Sequence, residues 1–122
     1  MITVLLADDS EIMRKAIVGI LQDDPDVKLL VQASSFIQTM ELVSTLRPQV
    51  VVMDLYMKDE KDVTSAQVKS SLRGSVLIAI SLRNDDETKA LAESFGAVTL
   101  LEKVNLATEL IPAIKLYAND RS

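Results

Sequence analysis

Four charged side chains follow apolar runs of the sequence at positions where they could meet. Asp8 and Asp9 follow the first such run, Asp54 follows the third, and Lys103 follows the fifth. Apolar runs rich in Val and Leu are typical of parallel strands covered on both faces. Because neighbouring parallel strands end at the same edge of a sheet, we expect these side chains to meet there. Three carboxylates and one ammonium could bind a hard cation and a phosphoryl group.

The chemistry that suits this set is transfer of a phosphoryl group to a carboxylate. An aspartate is a weak nucleophile, but it can accept a phosphoryl group when a cation screens the incoming charge. We predict Asp54 as the acceptor, with Asp8 and Asp9 holding the cation. Mg²⁺ fits because it prefers oxygen ligands and binds through one or two carboxylates. The phosphoryl oxygens need donors, which Lys103 and Ser81, at the end of the fourth predicted strand, could provide.

The elements that must position these residues alternate along the chain. Apolar runs predict five strands, at 2–8, 27–33, 49–54, 75–81 and 97–102. Apolar residues at helical spacing predict five helices, at about 10–22, 36–47, 62–72, 84–95 and 105–118. Right-handed crossovers then give an α/β fold, a five-stranded parallel sheet with helices on both faces and a flavodoxin-like (βα)5 order. Pro112 should kink the last helix or move its start to a later residue. We expect one domain over 1–118, with 119–122 as a tail or the start of a linker.

Composition excludes several classes of function. The 122 residues suit one domain, and 48% hydrophobic with 25% charged residues indicates a folded globular chain. A net charge of -5 without a basic run argues against direct binding of nucleic acid by this domain. The absence of Cys and His excludes disulfides, thiolate sites and a histidine general base. No apolar run has membrane-spanning length and no signal peptide is recognisable, so we expect a cytoplasmic location.

Along essentially its whole length the sequence resembles the receiver domain of bacterial two-component response regulators. The matching segments are 7–10 with Met13-Arg14 downstream, 54–57, the serine that ends 76–81, 95–97 and Glu102-Lys103. The resemblance implies that Asp9, Asp54 and the backbone carbonyl of Tyr56 ligate Mg²⁺ directly. It implies that Asp8 acts partly through water and that a sensor histidine kinase donates the phosphoryl group.

In detail the chain looks most like receivers of LuxR-type DNA-binding regulators. The likeness rests on the Asp-Pro-Asp-Val segment 24–27 and on Glu-Leu-Ile at 109–111. It also rests on Lys103, which is followed by Val104 and not by a proline. It implies a C-terminal DNA-binding effector domain in the full-length protein and leaves a homodimer open. Ile111 and Leu116, which fall off the main apolar stripe of the last helix, are candidates for a dimer or effector face.

Several positions depart from the family pattern. The loop 58–62 has lost the usual proline and glycine and is predicted as a charged, solvated loop. Leu82 follows Ser81 where a small residue is usual, and could narrow access to the acceptor. Leu100 replaces the aromatic residue that swings inward in many relatives, so a switch by aromatic rotation is excluded. By resemblance, Tyr56 and Arg83 flank the phosphoryl group and affect its hydrolysis, and Arg83 could pair with the phosphate, with Tyr56 or with an acid in the loop.

Three alternatives remain beside a phosphoacceptor. A pseudo-receiver would keep the fold and act as a phosphorylation-independent interaction module. A phosphatase of the haloacid-dehalogenase type would need a second acid two residues after its nucleophile, where this chain has Tyr56. A flavodoxin-type cofactor binder would need a phosphate loop rich in Ser, Thr and Gly after the first strand, where the acidic segment 8–11 would repel a phosphate.

Overall fold

The structure, a computed structural model, describes residues 1–119, so 120–122 of the predicted tail lie outside the described residues. Strands and helices alternate in the order β1 (Ile2–Ala7), α1 (Glu11–Gln22), β2 (Val27–Ala33), α2 (Phe36–Leu46), β3 (Val50–Asp54), α3 (Ser65–Ser71), β4 (Val76–Ser81), α4 (Asp86–Ser94), β5 (Thr99–Glu102) and α5 (Leu106–Asn119). Short 3-10 helices precede α3 and α5, at Glu60–Asp62 and Lys103–Asn105. Within residues 1–119, none of the helices is both long and apolar enough to cross a membrane.

The five strands form one parallel sheet in the order β2-β1-β3-β4-β5. The predicted α/β class, parallel sheet and flavodoxin-like order are confirmed. The order of connection reverses between β1 and β3, and at such a reversal the loops that leave the two strands turn to opposite faces and open a crevice. Ala7 of β1 pairs with Met53 of β3, so Asp8 and Asp54, the next residues, leave the sheet side by side.

Side chains from alternate positions of β1 enter two separate hydrophobic cores. Val4 and Leu6 pack on the face that α1 and α5 cover, whereas Leu5 and Ala7 pack on the face that α2, α3 and α4 cover. All residues of β3 and β4 are buried. Burial on both faces explains why these strands are continuous apolar runs rather than alternating ones. It also gives the carboxyl edge of the sheet a rigid support.

Capping side chains set where four of the helices begin. Ser10, Ser35, Thr64 and Asp85 each accept a hydrogen bond from the backbone N–H three residues on. These caps satisfy amides that have no partner within the helix. The predicted starts at residues 62 and 84 are therefore too early: a capping box between Thr64 and Gln67 starts α3 at Ser65, and Asp85 starts α4 at Asp86.

The last helix differs from its prediction in two respects. It begins at Leu106 after a 3-10 turn and keeps Pro112 inside it, although proline donates no hydrogen bond to Thr108 one turn earlier. Ile111 packs against the α1–α5 core, so its predicted place on an off-core face is wrong. Leu116 is 59% exposed and does lie off the core. Asn119, which was predicted to belong to the tail, is the last residue of this helix.

Candidate functional site

Three carboxylates converge where β1 and β3 end. Asp8 and Asp9 follow β1 and Asp54 is the last residue of β3, and one carboxylate oxygen of each lies within 4.8 Å of the other two. Asp8 is fully buried and Asp54 is nearly so, whereas Asp9 is partly exposed. The structure therefore brings together the three aspartates that the sequence placed at this edge.

Lys103 lies between two of these carboxylates. Its Nζ is 2.7 Å from Asp8 Oδ2 and 3.0 Å from Asp54 Oδ2, and its side chain is only 5% exposed. The lysine comes from the 3-10 turn after β5, so the ion pairs join β5 to β1 and β3. Three ionised carboxylates and one ammonium leave a net charge of -2, by the sum of their unit charges. A divalent cation would neutralise that charge.

Backbone amides orient the two buried carboxylates. Asp8 Oδ1 accepts from the N–H of Ser10 at 2.9 Å, and Asp54 Oδ1 accepts from the N–H of Tyr56 at 3.0 Å. Both are Asx turns, in which an aspartate bonds the amide two residues on. Arg14, which the family resemblance singled out without a role, donates to the backbone carbonyl of Asp8 at 2.6 Å. Each turn directs the second oxygen toward Lys103.

Asp8 Oδ2 is under-satisfied. It is buried and, among the side-chain atoms of the described residues, it alone is buried without a hydrogen-bond partner. Its 2.7 Å contact with Lys103 Nζ is an ion pair that lacks hydrogen-bond geometry. The ammonium charge offsets the cost of burying this oxygen, and a further ligand would complete its environment.

Burial perturbs the proton affinity of the central pair. Burial raises the pKa of Asp54 from 3.8 to about 6, although the Tyr56 amide and the Lys103 charge oppose the rise. Burial alone would lower the pKa of Lys103, but its contact with Asp8 and the charge of Asp54 outweigh burial and raise it. Lys103 is therefore charged at neutral pH, and Asp54 titrates close to neutrality.

The raised pKa of Asp54 makes the stability of the metal-free fold depend on pH. The folded protein binds this proton more tightly than the unfolded chain, so stability rises as pH falls through about 6 toward 3.8. At about pH 7.5 the ionised group costs roughly 3 kcal/mol. We expect Asp54→Asn to exceed the wild-type protein in unfolding free energy at that pH, with the difference vanishing near about pH 4. Urea unfolding in chelator at both pH values measures this, and a pH-independent difference would contradict it.

Ser81 ends β4 beside the acidic cluster. Its side chain is buried, and its Oγ accepts from the N–H of Arg83 at 3.1 Å. That bond uses a lone pair of the hydroxyl and not its proton. Ser81 pairs with Glu102 across the sheet, and Asn84 donates to the carboxylate of Glu102 at 2.7 Å. The loop after β4 is thus joined to the last residue of β5, next to Lys103.

A cleft of about 580 Å³ leads from solvent to this cluster. The predicted site residues that line it are Asp9, Asp54, Tyr56, Ser81 and Lys103. Glu60, which the sequence did not single out as a site residue, lines it too. Leu82 also lines the cleft, as a residue that narrows access to Asp54 would, although its side chain is 71% exposed. Another cavity, of about 600 Å³, is lined from α2 and the loop after α3 by residues that carry no carboxylate, and it is remote from this chemistry.

Tyr56 and Arg83, which line the outer part of the cleft, belong to a ring of three hydrogen bonds and one ion pair. Arg83 donates to the Tyr56 hydroxyl at 2.7 Å, with its guanidinium 4.6 Å from the ring centroid. The Tyr56 hydroxyl lies 2.9 Å from Thr88 Oγ1, which donates to Asp85 Oδ1 at 2.6 Å. Arg83 Nε lies 3.7 Å from Asp85 Oδ2 and closes the ring. Tyr56 is one of the three partners that the sequence left open for Arg83. Thr88 was not predicted, and its only local signal was its position three residues after the capping Asp85.

Asp59 corrects the prediction of a merely solvated loop at 58–62. Its two carboxylate oxygens accept from the N–H groups of Phe36 and Ile37, at 2.9 and 3.0 Å. They cap the first turn of α2, where anionic groups are favoured by the helix dipole. The partners lie 23 and 22 residues away, so no local pattern could have indicated them. The loop after Asp54 is thereby fastened to α2.

Comparison with known proteins shows what this chain is similar to. A family model described as the response regulator receiver domain matches residues 4–115. The transcriptional regulatory protein LiaR of Bacillus subtilis (strain 168) is 31% identical over 117 residues, which are 94% of this chain and 55% of LiaR. Protein-glutamate methylesterase/protein-glutamine glutaminase 1 of Pseudomonas savastanoi pv. phaseolicola is 33% identical over 97% of this chain and 36% of its own length. The chain therefore spans about half, or about a third, of these relatives.

Solved structures share the fold. The DNA-binding response regulator of the LuxR family from Staphylococcus aureus has a TM-score of 0.84 and 19% identity, with 97% of this chain and 99% of that chain covered. At this level of identity the likeness shows that the two chains share a fold.

Proposed function

The chain belongs to the response regulator receiver domain family, and from that premise we propose that Asp54 accepts a phosphoryl group and that the product switches the surface of the domain. The single observation that carries this proposal is the cluster itself. Three carboxylates converge at the ends of two strands, and two of them, those of Asp8 and Asp54, share one buried ammonium beside an open cleft. A structural ion pair would need neither the third carboxylate nor access from solvent.

The transfer needs a nucleophile, a leaving group and a neutralised phosphoryl group. A carboxylate oxygen of Asp54 bonds to phosphorus while the bond from phosphorus to the donor breaks, and the leaving atom keeps the electron pair. In a phosphohistidine of a sensor histidine kinase, that atom is an imidazole nitrogen. Asp54 is held from both sides, by the Tyr56 amide and by Lys103, so its orientation toward the cleft is set before the donor arrives.

The residues present fit Mg²⁺. The donor set consists of oxygens, its net charge is -2, and Asp8 Oδ2 lacks a directed hydrogen bond. We propose Asp9, Asp54 and the backbone carbonyl of Tyr56 as direct ligands, with Asp8 acting partly through water. A bound Mg²⁺ would neutralise charge on the phosphoryl oxygens during transfer.

Binding of Mg²⁺ should stabilise the fold. At about ten times its Kd, a ligand that binds only the folded state adds roughly 1.4 kcal/mol, which is a rise of about 3–6 °C in Tm for a domain of this size. Asp9→Asn should remove most of this rise, because Asp9 is the carboxylate most open to the cleft. Glu41→Gln, at an exposed position of α2, is the matched control and should keep it. Thermal scans with Mg²⁺ and with chelator measure the effect, and an unchanged rise in Asp9→Asn would contradict the ligand assignment.

The switch follows from the donors around the acceptor. Lys103 and Ser81 are proposed to donate to the new phosphoryl oxygens, which draws the turns after β5 and β4 toward Asp54. The surface of α4, β5 and α5 then carries the output. Leu100 packs partly buried against the α2–α4 core, so this movement proceeds without an aromatic rotation.

The partner that supplies phosphate is proposed to be a sensor histidine kinase. Two large apolar side chains that directly follow site residues are exposed: Leu82, after Ser81, at 71% and Val104, after Lys103, at 78%. A protein donor that reaches Asp54 would cover them.

By likeness to LiaR we propose a transcriptional output through a DNA-binding effector domain, in the cytoplasm. A homodimer is a further proposal, for which the exposed Leu116 is the candidate contact.

A pseudo-receiver is the second candidate, because Lys103 already neutralises part of the cluster and could hold it without an ion. Incubation with acetyl phosphate, or with beryllofluoride, in the presence of Mg²⁺ decides between the two. A mass gain of one phosphoryl group supports the acceptor. The absence of any gain or Mg²⁺-dependent spectral change supports the pseudo-receiver. We propose self-catalysed transfer and slow dephosphorylation only, so sustained turnover of phosphoesters would indicate an enzyme instead.

A further inference from the structure

The ring around Tyr56 has a definite direction of hydrogen bonding. An ionised Asp85 can only accept, so Thr88 gives its hydroxyl proton to Asp85. The Tyr56 hydroxyl must then donate to Thr88 Oγ1, and Arg83 donates to the Tyr56 oxygen. The chain begins at a cation and ends at an anion, an arrangement in which each bond polarises and strengthens the next.

The ring joins the wall of the cleft to helix α4. Thr88 is fully buried in the first turn of α4, and Asp85 is the cap of that helix. Tyr56 and Arg83 line the cleft that leads to Asp54. The Arg83 side chain is 52% exposed and that of Asp54 is 8% exposed, so Arg83 lies on the solvent side of the acceptor. A water molecule or phosphodonor that reaches Asp54 through this cleft therefore passes Tyr56 and Arg83, and Thr88 hydrogen-bonds the Tyr56 hydroxyl.

We propose that Thr88 is a positioning residue that fixes the Tyr56–Arg83 wall, so that the placement of the first turn of α4 sets how readily water and small phosphodonors reach Asp54. The proposal rests on the proposed acceptor role of Asp54. Because α4 belongs to the proposed output surface, a partner that shifts this turn changes the lifetime of the phosphoryl group. By linkage, the state of the cleft biases the binding of that partner.

The step that this wall governs is hydrolysis. A water oxygen bonds to phosphorus while the bond between phosphorus and the Asp54 oxygen breaks. The products are the free carboxylate, inorganic phosphate and a proton from the water. Loss of the anchor frees Tyr56 and Arg83, widens the path for water and speeds this reaction.

The experiment follows loss of phosphate after acetyl phosphate is removed. Thr88→Val keeps the shape of the side chain but removes the hydroxyl, and should speed dephosphorylation about fivefold, the factor for one hydrogen bond. Thr88→Ser should restore a rate within about twofold of the wild-type protein. Thr39→Val is the matched control: Thr39 is a buried threonine in the first turn of α2 whose hydroxyl donates to Ser35 at 2.6 Å. It should lower Tm without changing the rate.

A double-mutant cycle separates positioning from a loss of stability. Tyr56→Phe should also speed dephosphorylation about fivefold, and the double variant with Thr88→Val should be no faster than either single variant. Effects that multiply to about 25-fold would overturn the proposal, as would a Thr88→Val rate equal to that of the wild-type protein, or a Thr39→Val rate as fast as that of Thr88→Val.

A second readout does not depend on phosphorylation. Tyr56 and Tyr117 are the only two tyrosines and the chain has no Trp, so Tyr117→Phe leaves Tyr56 as the sole source of tyrosine emission. In that background Thr88→Val should raise quenching of Tyr56 by acrylamide, whereas Thr39→Val should not. If the wild-type protein takes up no phosphate, the proposed function fails while this measurement still tests the anchor. Unchanged quenching in Thr88→Val would overturn the anchor itself.

Discussion

Asp54→Asn is expected to lower phosphoryl uptake from acetyl phosphate and Mg²⁺ by more than about 100-fold, to below detection, because the reaction loses its nucleophile. A carboxamide oxygen is neutral and does not attack phosphorus. The variant should remain folded, because the raised pKa of Asp54 means that its ionised carboxylate destabilises the metal-free fold at neutral pH. Intact-mass measurement of the phosphorylated fraction checks the result.

The matched control for this variant is Asp26→Asn. Asp26 is an exposed aspartate that pairs with Lys115 at 3.3 Å, away from the cluster. It should take up phosphate to the same level as the wild-type protein. Stoichiometric uptake by Asp54→Asn would show that the phosphoryl group resides elsewhere, and the acceptor assignment would be wrong.

Lys103→Met should be the most destabilising single change at this site. It leaves Asp8 Oδ2 and Asp54 Oδ2 buried without their counter-ion, and breaking a buried ion pair in this way costs roughly 3–5 kcal/mol. The cost should fall at lower pH, where Asp54 takes up a proton, and Mg²⁺ should recover part of it because a cation replaces the lost charge. Urea unfolding in chelator and in Mg²⁺, at two pH values, measures all three effects.

Lys115→Met is the matched control for Lys103→Met, because it removes an ammonium that pairs with two aspartates at an exposed position. Lys115 also contacts two aspartates, Asp24 at 3.0 Å and Asp26 at 3.3 Å, but its side chain is 41% exposed. Exposed ion pairs are screened by water and contribute little, so this variant should unfold nearly as the wild-type protein does. Equal destabilisation by the two lysine substitutions would contradict the assigned role of the buried ammonium.

The sequence was sufficient to predict where the carboxylates meet. Asp8 and Asp54 follow continuous apolar runs, and parallel strands that are covered on both faces can end only at a shared edge. The topology turns two distant positions in the chain into neighbours, and Lys103 follows by the same reasoning. What the pattern could not give is that Lys103 Nζ lies between the two carboxylates, since that depends on the 3-10 turn after β5.

Side chains that connect one element to another could not be predicted from the sequence, for a different reason. Asp59 caps a helix that begins 23 residues earlier, and Thr88 bonds Tyr56 across 32 residues. Both side chains are short and polar, and nothing in their immediate neighbourhood distinguishes them from ordinary loop or helix-start residues. The predicted starts of α3 and α4 were wrong for a similar reason, because the periodicity that predicts a helix does not identify the side chain that caps it.

The bond from Asp59 to α2 constrains how this domain could be rebuilt. The segment after Asp54 is pinned twice, by Met57 in the core and by Asp59 on the amides of Phe36 and Ile37. A chimera that imports this segment from a relative without its own carboxylate would leave the amides of Phe36 and Ile37 without their acceptor, with only the Ser35 cap remaining, and would loosen the frame beside the acceptor. For engineering, the two stretches form one module and have to be exchanged together.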